Sequence, residues 1–189
     1  MKNKIKNASI QQFDEKGYSE TSIQEIVDYI GVTKGSFYYY YKSKQELLKD
    51  IHINYIEGLL KEQDQILQNP DKNSKDKLYS IISMIVNSIR TQRQSARIFN
   101  REGRNLDKLH FEEIRHKRRK FRLAFQQVIE EGIKTGEFKK GLHADILTFG
   151  MLGMTNWSFN WFNPEGKLSE EEIINTYIDI LFNGIINER

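Results

Sequence analysis

From Thr33 to Tyr41 the chain reads T-K-G-S-F-Y-Y-Y-Y, which gathers hydroxyls, a lysine, a glycine and phenols into little more than two helical turns. On a helix Phe37 and Tyr41 lie four residues apart and face inward, while Gly35, Ser36 and Tyr39 point the opposite way and Tyr38 sits on the flank. The outward face is small, hydroxylated and aromatic. Hydroxyls and a lysine reach phosphates or base edges, and a glycine permits close backbone approach, so this face suits the major groove of DNA. Four successive tyrosines fan out around a helix, so they form no stacking platform for a single strand.

A second concentration of chemistry lies between residues 90 and 122, where nine arginines and three lysines stand against four acids, a local charge of +8. Residues 1 to 50 carry only +1, so most of the positive charge lies outside the phenol-rich segment. Two readings of the block stay open. One is a solvated face laced by i, i+4 pairs such as Glu113 with Lys117. The other is a receptor for a polyanion, because guanidinium forks match phosphate geometry.

Other reactive constellations are missing from the sequence. His52, His110, His116 and His143 have no metal-ligand spacing, and there is no cysteine. No Ser/His/Asp set, glycine-rich phosphate loop or paired carboxylates appear, so neither an enzyme, a metal site nor a cofactor is expected.

The elements that position these residues follow from apolar spacing. Ile23, Ile26, Val27 and Ile30 form one stripe, started by Ser22 with Glu25 as a reciprocal cap and ended at Gly31. Thr33 caps the next helix, and Ser43 with Glu46 the one after. Two short helices about a glycine turn are the pattern of a helix-turn-helix. Long 3.6-residue periodicity and only two prolines predict an all-α protein of nine helices, near 2–16, 22–30, 33–41, 44–68, 74–92, 94–104, 109–135, 143–162 and 169–187. The expected division is a DNA-binding domain over 1–45 and a ligand-binding and dimerisation domain over 46–189, joined by an unbroken fourth helix.

Residues 144–162 are apolar nearly all round, which a surface helix cannot be. The ninth helix carries a stripe at Ile174, Tyr177, Ile178, Leu181 and Ile185, and Gly150 and Gly153 allow close helix approach. A chain of 189 residues has little other mass to cover these faces, so a homodimer through helices eight and nine is expected. The stretch 146–162 is too short and too polar to cross a bilayer, so no membrane partner is expected. The N-terminal residues M-K-N-K-I-K-N lack an apolar run and read as no secretory signal, and absent cysteine suits a reducing compartment; the expected location is cytoplasmic.

The run G-x-x-x-T-S-I-x-E-I-x-x-x-x-G-V-T-K-G-S-F-Y-x-Y-Y-x-S-K-x-x-L, from Gly17 to Leu47, resembles the DNA-binding domain of TetR-family transcriptional regulators. That resemblance implies a dimer on a palindromic, double-stranded operator. It also implies that Thr33, Lys34, Gly35, Ser36, Tyr38 and Tyr39 meet DNA, with Tyr40 and Lys44 on phosphate and Thr21 and Ser22 anchoring the positioning helix to the backbone.

From Ile98 onward, the patterns I-F-N-R-E-x-x-x-L, R-R-K-F-R-x-x-F-x-x-V-I-E-E-G-I-x-x-G-E-F and G-M-x-N-W-x-x-x-W-F-x-P-E-G-x-L-S-x-E-E-I are similar to the effector domain of the TetR branch responsive to acyl-CoA thioesters. The implied effector is a small hydrophobic molecule, a long-chain acyl-CoA, that releases a repressor from DNA. Phe99, Phe125, Trp157, Trp161 and Phe162 would line the acyl tunnel, and Arg97, Arg101, Arg104 and Arg122 would meet phosphates. The alternatives are a multidrug-sensing repressor of an efflux gene and a helical interaction protein that does not bind DNA.

Overall fold

The computed structural model describes residues 1–185. Among them lie nine α-helices: α1 (Lys2–Lys16), α2 (Ile23–Tyr29), α3 (Lys34–Tyr40), α4 (Lys44–Leu67), α5 (Ser74–Thr91), α6 (Arg93–Arg101), α7 (Lys108–Thr135), α8 (Ala144–Trp161) and α9 (Glu170–Ile185). This is the all-α architecture expected from periodicity. The largest departure is at α6, which ends three residues early because the chain tightens into a 3-10 turn over Glu102–Asn105. The expected end of the ninth helix, at residues 186–187, lies outside the described residues. No helix of the described residues is long and apolar enough to cross a membrane.

The chain folds as two compact units, one of Met1–Glu57 with Gln92–Lys117 and the other of Gly58–Thr91 with the chain from Arg118 onward. Both α4 and α7 contribute residues to each. In the first unit, Ile5 and Phe13 of α1, Ile26 and Val27 of α2, Phe37 of α3 and Leu47 and Leu48 of α4 are fully buried. These positions recur at helical spacing, so burial of one stripe per helix assembles the head. Gly31 ends α2 with φ +68, a left-handed conformation that disfavours a side chain. α6 packs along α1 within the same unit.

In the second unit α5 packs on both α8 and α9. Leu78, Ile81, Ile82, Ile85 and Ile89 form its buried stripe. The turn after α7 is closed by Phe138, whose ring lies 2.2 Å from where a Cβ on Gly132 would stand. Only glycine leaves room for that aromatic plug.

α8 buries its small hydroxyls and exposes several of its largest apolar side chains. Its buried side chains include Thr148, Thr155 and Ser158 together with Met151 and Phe159, whereas Ile146, Phe149, Trp157 and Trp161 are exposed. The buried hydroxyls bond back along their own helix, Thr148 to the Ala144 carbonyl at 2.7 Å and Thr155 to the Met151 carbonyl at 2.8 Å. Ser158 also meets the Tyr177 hydroxyl of α9 at 2.7 Å. Satisfied hydroxyls of this kind sit inside at little cost.

Candidate nucleic-acid interface and effector unit

The helix-turn-helix is held by its own caps. Ser22 accepts from the Glu25 amide at 3.1 Å while Glu25 accepts from the Ser22 amide at 2.8 Å, completing the reciprocal cap. Those bonds and Lys16, 2.9 Å away, hold the Glu25 carboxyl down at about 2. Thr33 accepts from the Ser36 amide at 3.3 Å and starts α3.

α3 presents two faces. Phe37 is fully buried and its ring lies 5.8 Å from that of Tyr41, which is 2% exposed. Burial, together with a hydrogen bond to Asp50 at 2.9 Å, raises the Tyr41 hydroxyl well above the ordinary phenol range. On the other side Tyr39 is 81% exposed and Tyr38 is 52% exposed. Thr33, Lys34 and Gly35 are exposed with them, and Ser36 and Tyr40 are half-buried. Apart from an edge-on contact with the Tyr40 ring at 4.8 Å, the Tyr39 phenol faces outward, so the face is available to an external partner.

Lys44, expected on phosphate, and Thr21, expected to anchor the positioning helix to the backbone, have internal work. Lys44 donates to the carbonyls of Tyr18 at 2.8 Å and Thr21 at 2.7 Å, and its ammonium lies 4.2 Å from the Tyr18 ring centre. Burial lowers its pKa. Lys44 therefore clamps the α1–α2 turn. Thr21 is 1% exposed and donates to the Gly17 carbonyl at 2.8 Å, so it too holds that turn together. Ser22 remains exposed.

Sequence reasoning did not find this bracing, nor that of Gln45. The Gln45 side-chain amide donates to the Asn105 carbonyl at 2.5 Å and accepts from the Asp107 amide at 3.2 Å. Its partners lie about 60 residues away along the chain, so no local pattern could signal it.

The expected effector residues divide between the two units. In the first, Phe99 is buried with its ring 4.9 Å from Tyr55 and 5.3 Å from His52. Arg97 is paired with Asp14, Arg101 lies 3.5 Å from Glu102, and Arg104 is exposed. In the second unit Phe125 and Phe162 are buried core. Arg122 donates to Gln126 at 2.9 Å and lies 4.9 Å from the centre of the Phe149 ring. Trp157 and Trp161, expected on a tunnel wall, are 65% and 46% exposed and stand on the outer face of α8.

The α9 stripe also needs correction. Ile174, Ile178, Leu181 and Ile185 are buried within their own unit and Tyr177 is half-buried, so this stripe serves the core. Gly150 and Gly153 are exposed, with open space where side chains would be. They share the outer face of α8 with Ile146, Phe149 and Trp157, spaced at three, four and seven residues.

Comparison with known proteins bears on both units. Residues 5–51 match the family described as bacterial regulatory proteins, tetR family, and residues 71–185 match the tetracyclin repressor-like C-terminal domain. The chain is 25% identical over 175 residues to the HTH-type transcriptional repressor KstR2 of Mycolicibacterium smegmatis, covering 92% of this chain and 84% of that protein. Among solved structures it is similar to the ketosteroid transcriptional regulator KstR2 of Mycobacterium tuberculosis, with TM-score 0.91, 22% identity and coverage of 99% and 95% of the two chains. It is also similar to AibR in complex with isovaleryl coenzyme A and operator DNA, with TM-score 0.86, 23% identity and coverage of 96% and 97%.

Proposed function

We propose, since this chain belongs to the tetR family of bacterial regulatory proteins and is therefore a transcriptional regulator, that it is a repressor that binds a palindromic operator as a dimer and is released by a long-chain acyl-CoA. The observation that carries DNA binding is the two-faced α3, with Phe37 locked in the core and Tyr39 at 81% exposure on the opposite side. Residues 1–45 form the reading head, with Thr33, Lys34, Gly35, Ser36, Tyr38 and Tyr39 toward the groove, Tyr40 on phosphate and Ser22 at the backbone. Residues 46–189 bind effector and form the dimer.

The dimer reading rests on α8 and α9. Ile146, Phe149, Gly150, Gly153, Trp157 and Trp161 of α8 and Ile180 of α9 are exposed, an apolar helix face that water disfavours. A second copy applied through a two-fold axis would cover it. Two heads so joined would read half-sites roughly 34 to 36 Å apart.

The acyl-CoA reading draws on two similar solved structures, a ketosteroid regulator and a regulator in complex with isovaleryl coenzyme A, and on the basic stretch through α6 and α7. Within the second unit, buried Phe125 and Phe162 supply apolar wall, and Arg122 is the candidate for the phosphates. Release requires the effector to favour the state that does not bind DNA. Fluorescence anisotropy with labelled duplex from the protein's own upstream region tests the proposal, with palmitoyl-CoA, isovaleryl-CoA and a panel of hydrophobic drugs as competitors. Release by CoA esters alone supports it. Release by drugs alone favours an efflux repressor, and failure to bind duplex at low salt favours an interaction protein.

A further inference from the structure

Gln63 of α4 is fully buried in the second unit, where its Nε2 donates to the Phe121 carbonyl of α7 at 3.0 Å. That bond fixes which way the amide points and leaves Oε1, also buried, with no hydrogen-bond partner. Ser83 of α5 has a buried Oγ in the same condition. Among the described residues of the second unit these are the two buried side-chain polar atoms so left.

The contrast with their surroundings is chemical. Ser88, Thr148, Thr155 and Ser158 satisfy their hydroxyls on helix carbonyls, as with Ser88 to the Ile85 carbonyl at 2.7 Å. Leu59, Leu60, Phe121 and Phe125, on the helices that carry Gln63 and its partner, are buried and apolar. A glutamine acceptor in such a place is destabilising unless something donates to it.

We propose that Gln63 is a specificity residue of the effector site, its Oε1 accepting from an N–H or O–H group on an otherwise apolar ligand lodged in the second unit. This rests on the effector reading above and names the chemistry that reading leaves open. The matching ligand class is an apolar chain bearing an amide or hydroxyl; the amides of a coenzyme A thioester's pantetheine arm are such donors. A hydrophobic ligand without a donor would bury Oε1 unpaired, so Gln63 selects against plain hydrocarbons and simple esters.

The test uses the full-length protein, wild type and Gln63→Met, which keeps the length of the side chain and removes both polar atoms. Two probes of equal chain length separate the donor from the hydrocarbon: dodecanamide carries N–H groups and methyl dodecanoate carries none. The account expects dodecanamide to bind wild type roughly 10- to 100-fold more tightly than the ester, read from the rise in unfolding temperature with ligand concentration, and expects that preference to vanish in Gln63→Met. Operator affinity without ligand should be unchanged in Gln63→Met, and half-release by palmitoyl-CoA should need roughly 10-fold more ester or beyond.

Equal probe preference in wild type and Gln63→Met would overturn the proposal, since a water or nothing would then occupy Oε1. Loss of operator binding and folding together in Gln63→Met would also overturn it by making the residue an internal strut. A wild type that discriminates the probes yet ignores CoA esters would sustain Gln63 as a donor sensor while ending the acyl-CoA reading.

Discussion

Arg97 of α6 grips Asp14 of α1 with two guanidinium nitrogens, Nε donating to Oδ1 at 2.7 Å and Nη2 to Oδ2, and the Asp14 side chain is only 4% exposed. A carboxylate in that position depends on its partner, because removing one member of a buried pair strands the other charge. Arg97→Met should therefore destabilise the protein by about 3 kcal/mol, and the double change Asp14→Leu with Arg97→Met should recover most of it. Urea unfolding of the three proteins checks this. It also assigns Arg97 a role inside the head's own unit in place of the ligand contact expected from the sequence.

Lys44 separates clamping from phosphate contact by salt dependence. Each phosphate neutralised contributes about 0.9 to the slope of log affinity against log salt. Because the Lys44 ammonium holds the Tyr18 and Thr21 carbonyls, Lys44→Met should weaken operator binding with that slope unchanged. Anisotropy titrations between 50 and 200 mM salt, roughly the range in which such slopes are read, distinguish the roles. A slope reduced by about one would put the lysine on phosphate.

How far the sequence carried can be judged on particular residues. The caps at Ser22, Glu25 and Thr33 and the inward Phe37 were legible because caps and stripes are local, set by partners three or four residues away. The nine helices followed from the same periodicity. Lys44, Gln45 and Asp14 were not legible: their partners are 23 to 83 residues away, so no local spacing singles those partners out. α8 misled for a different reason. Hydropathy places Trp157 on an interior wall, yet it is 65% exposed, while Thr155, satisfied along its own helix, is buried.

Acid should loosen α2 through Glu25. Its carboxyl is held at about 2 in the folded state, below its ordinary value near 4.5, so its contribution is present above about pH 4.5 and is lost as pH falls toward 2. Glu25→Gln should unfold at a lower temperature than wild type near pH 6, with the gap closing by about pH 2. A gap independent of pH across that interval would show that the cap acts without its charge.

Gly132 should tolerate no side chain. A Cβ there would stand 2.2 Å from the Phe138 ring, so Gly132→Ala should destabilise by roughly 1 to 3 kcal/mol through overpacking. Gly132→Ala with Phe138→Leu should be milder than the two single costs combined, since the two changes share one space. Thermal unfolding of the set measures it.

The outer face of α8 should hold the dimer. Trp157→Arg places a charge in the centre of the exposed stripe and should shift the solution mass from twice the 22.4 kDa chain mass toward one chain, with helical content retained. Light scattering at micromolar concentration reads the outcome. An unchanged mass would move the interface elsewhere.

The most direct measurement of DNA reading by α3 is selection of bound duplexes from a random library, followed by sequencing, for wild type and Tyr39→Ala. The account predicts that wild type enriches one palindromic site with half-sites about one helical turn apart and that Tyr39→Ala, still folded and dimeric, loses the enrichment. An unenriched library, or an identical site selected equally well without the Tyr39 phenol, would contradict it.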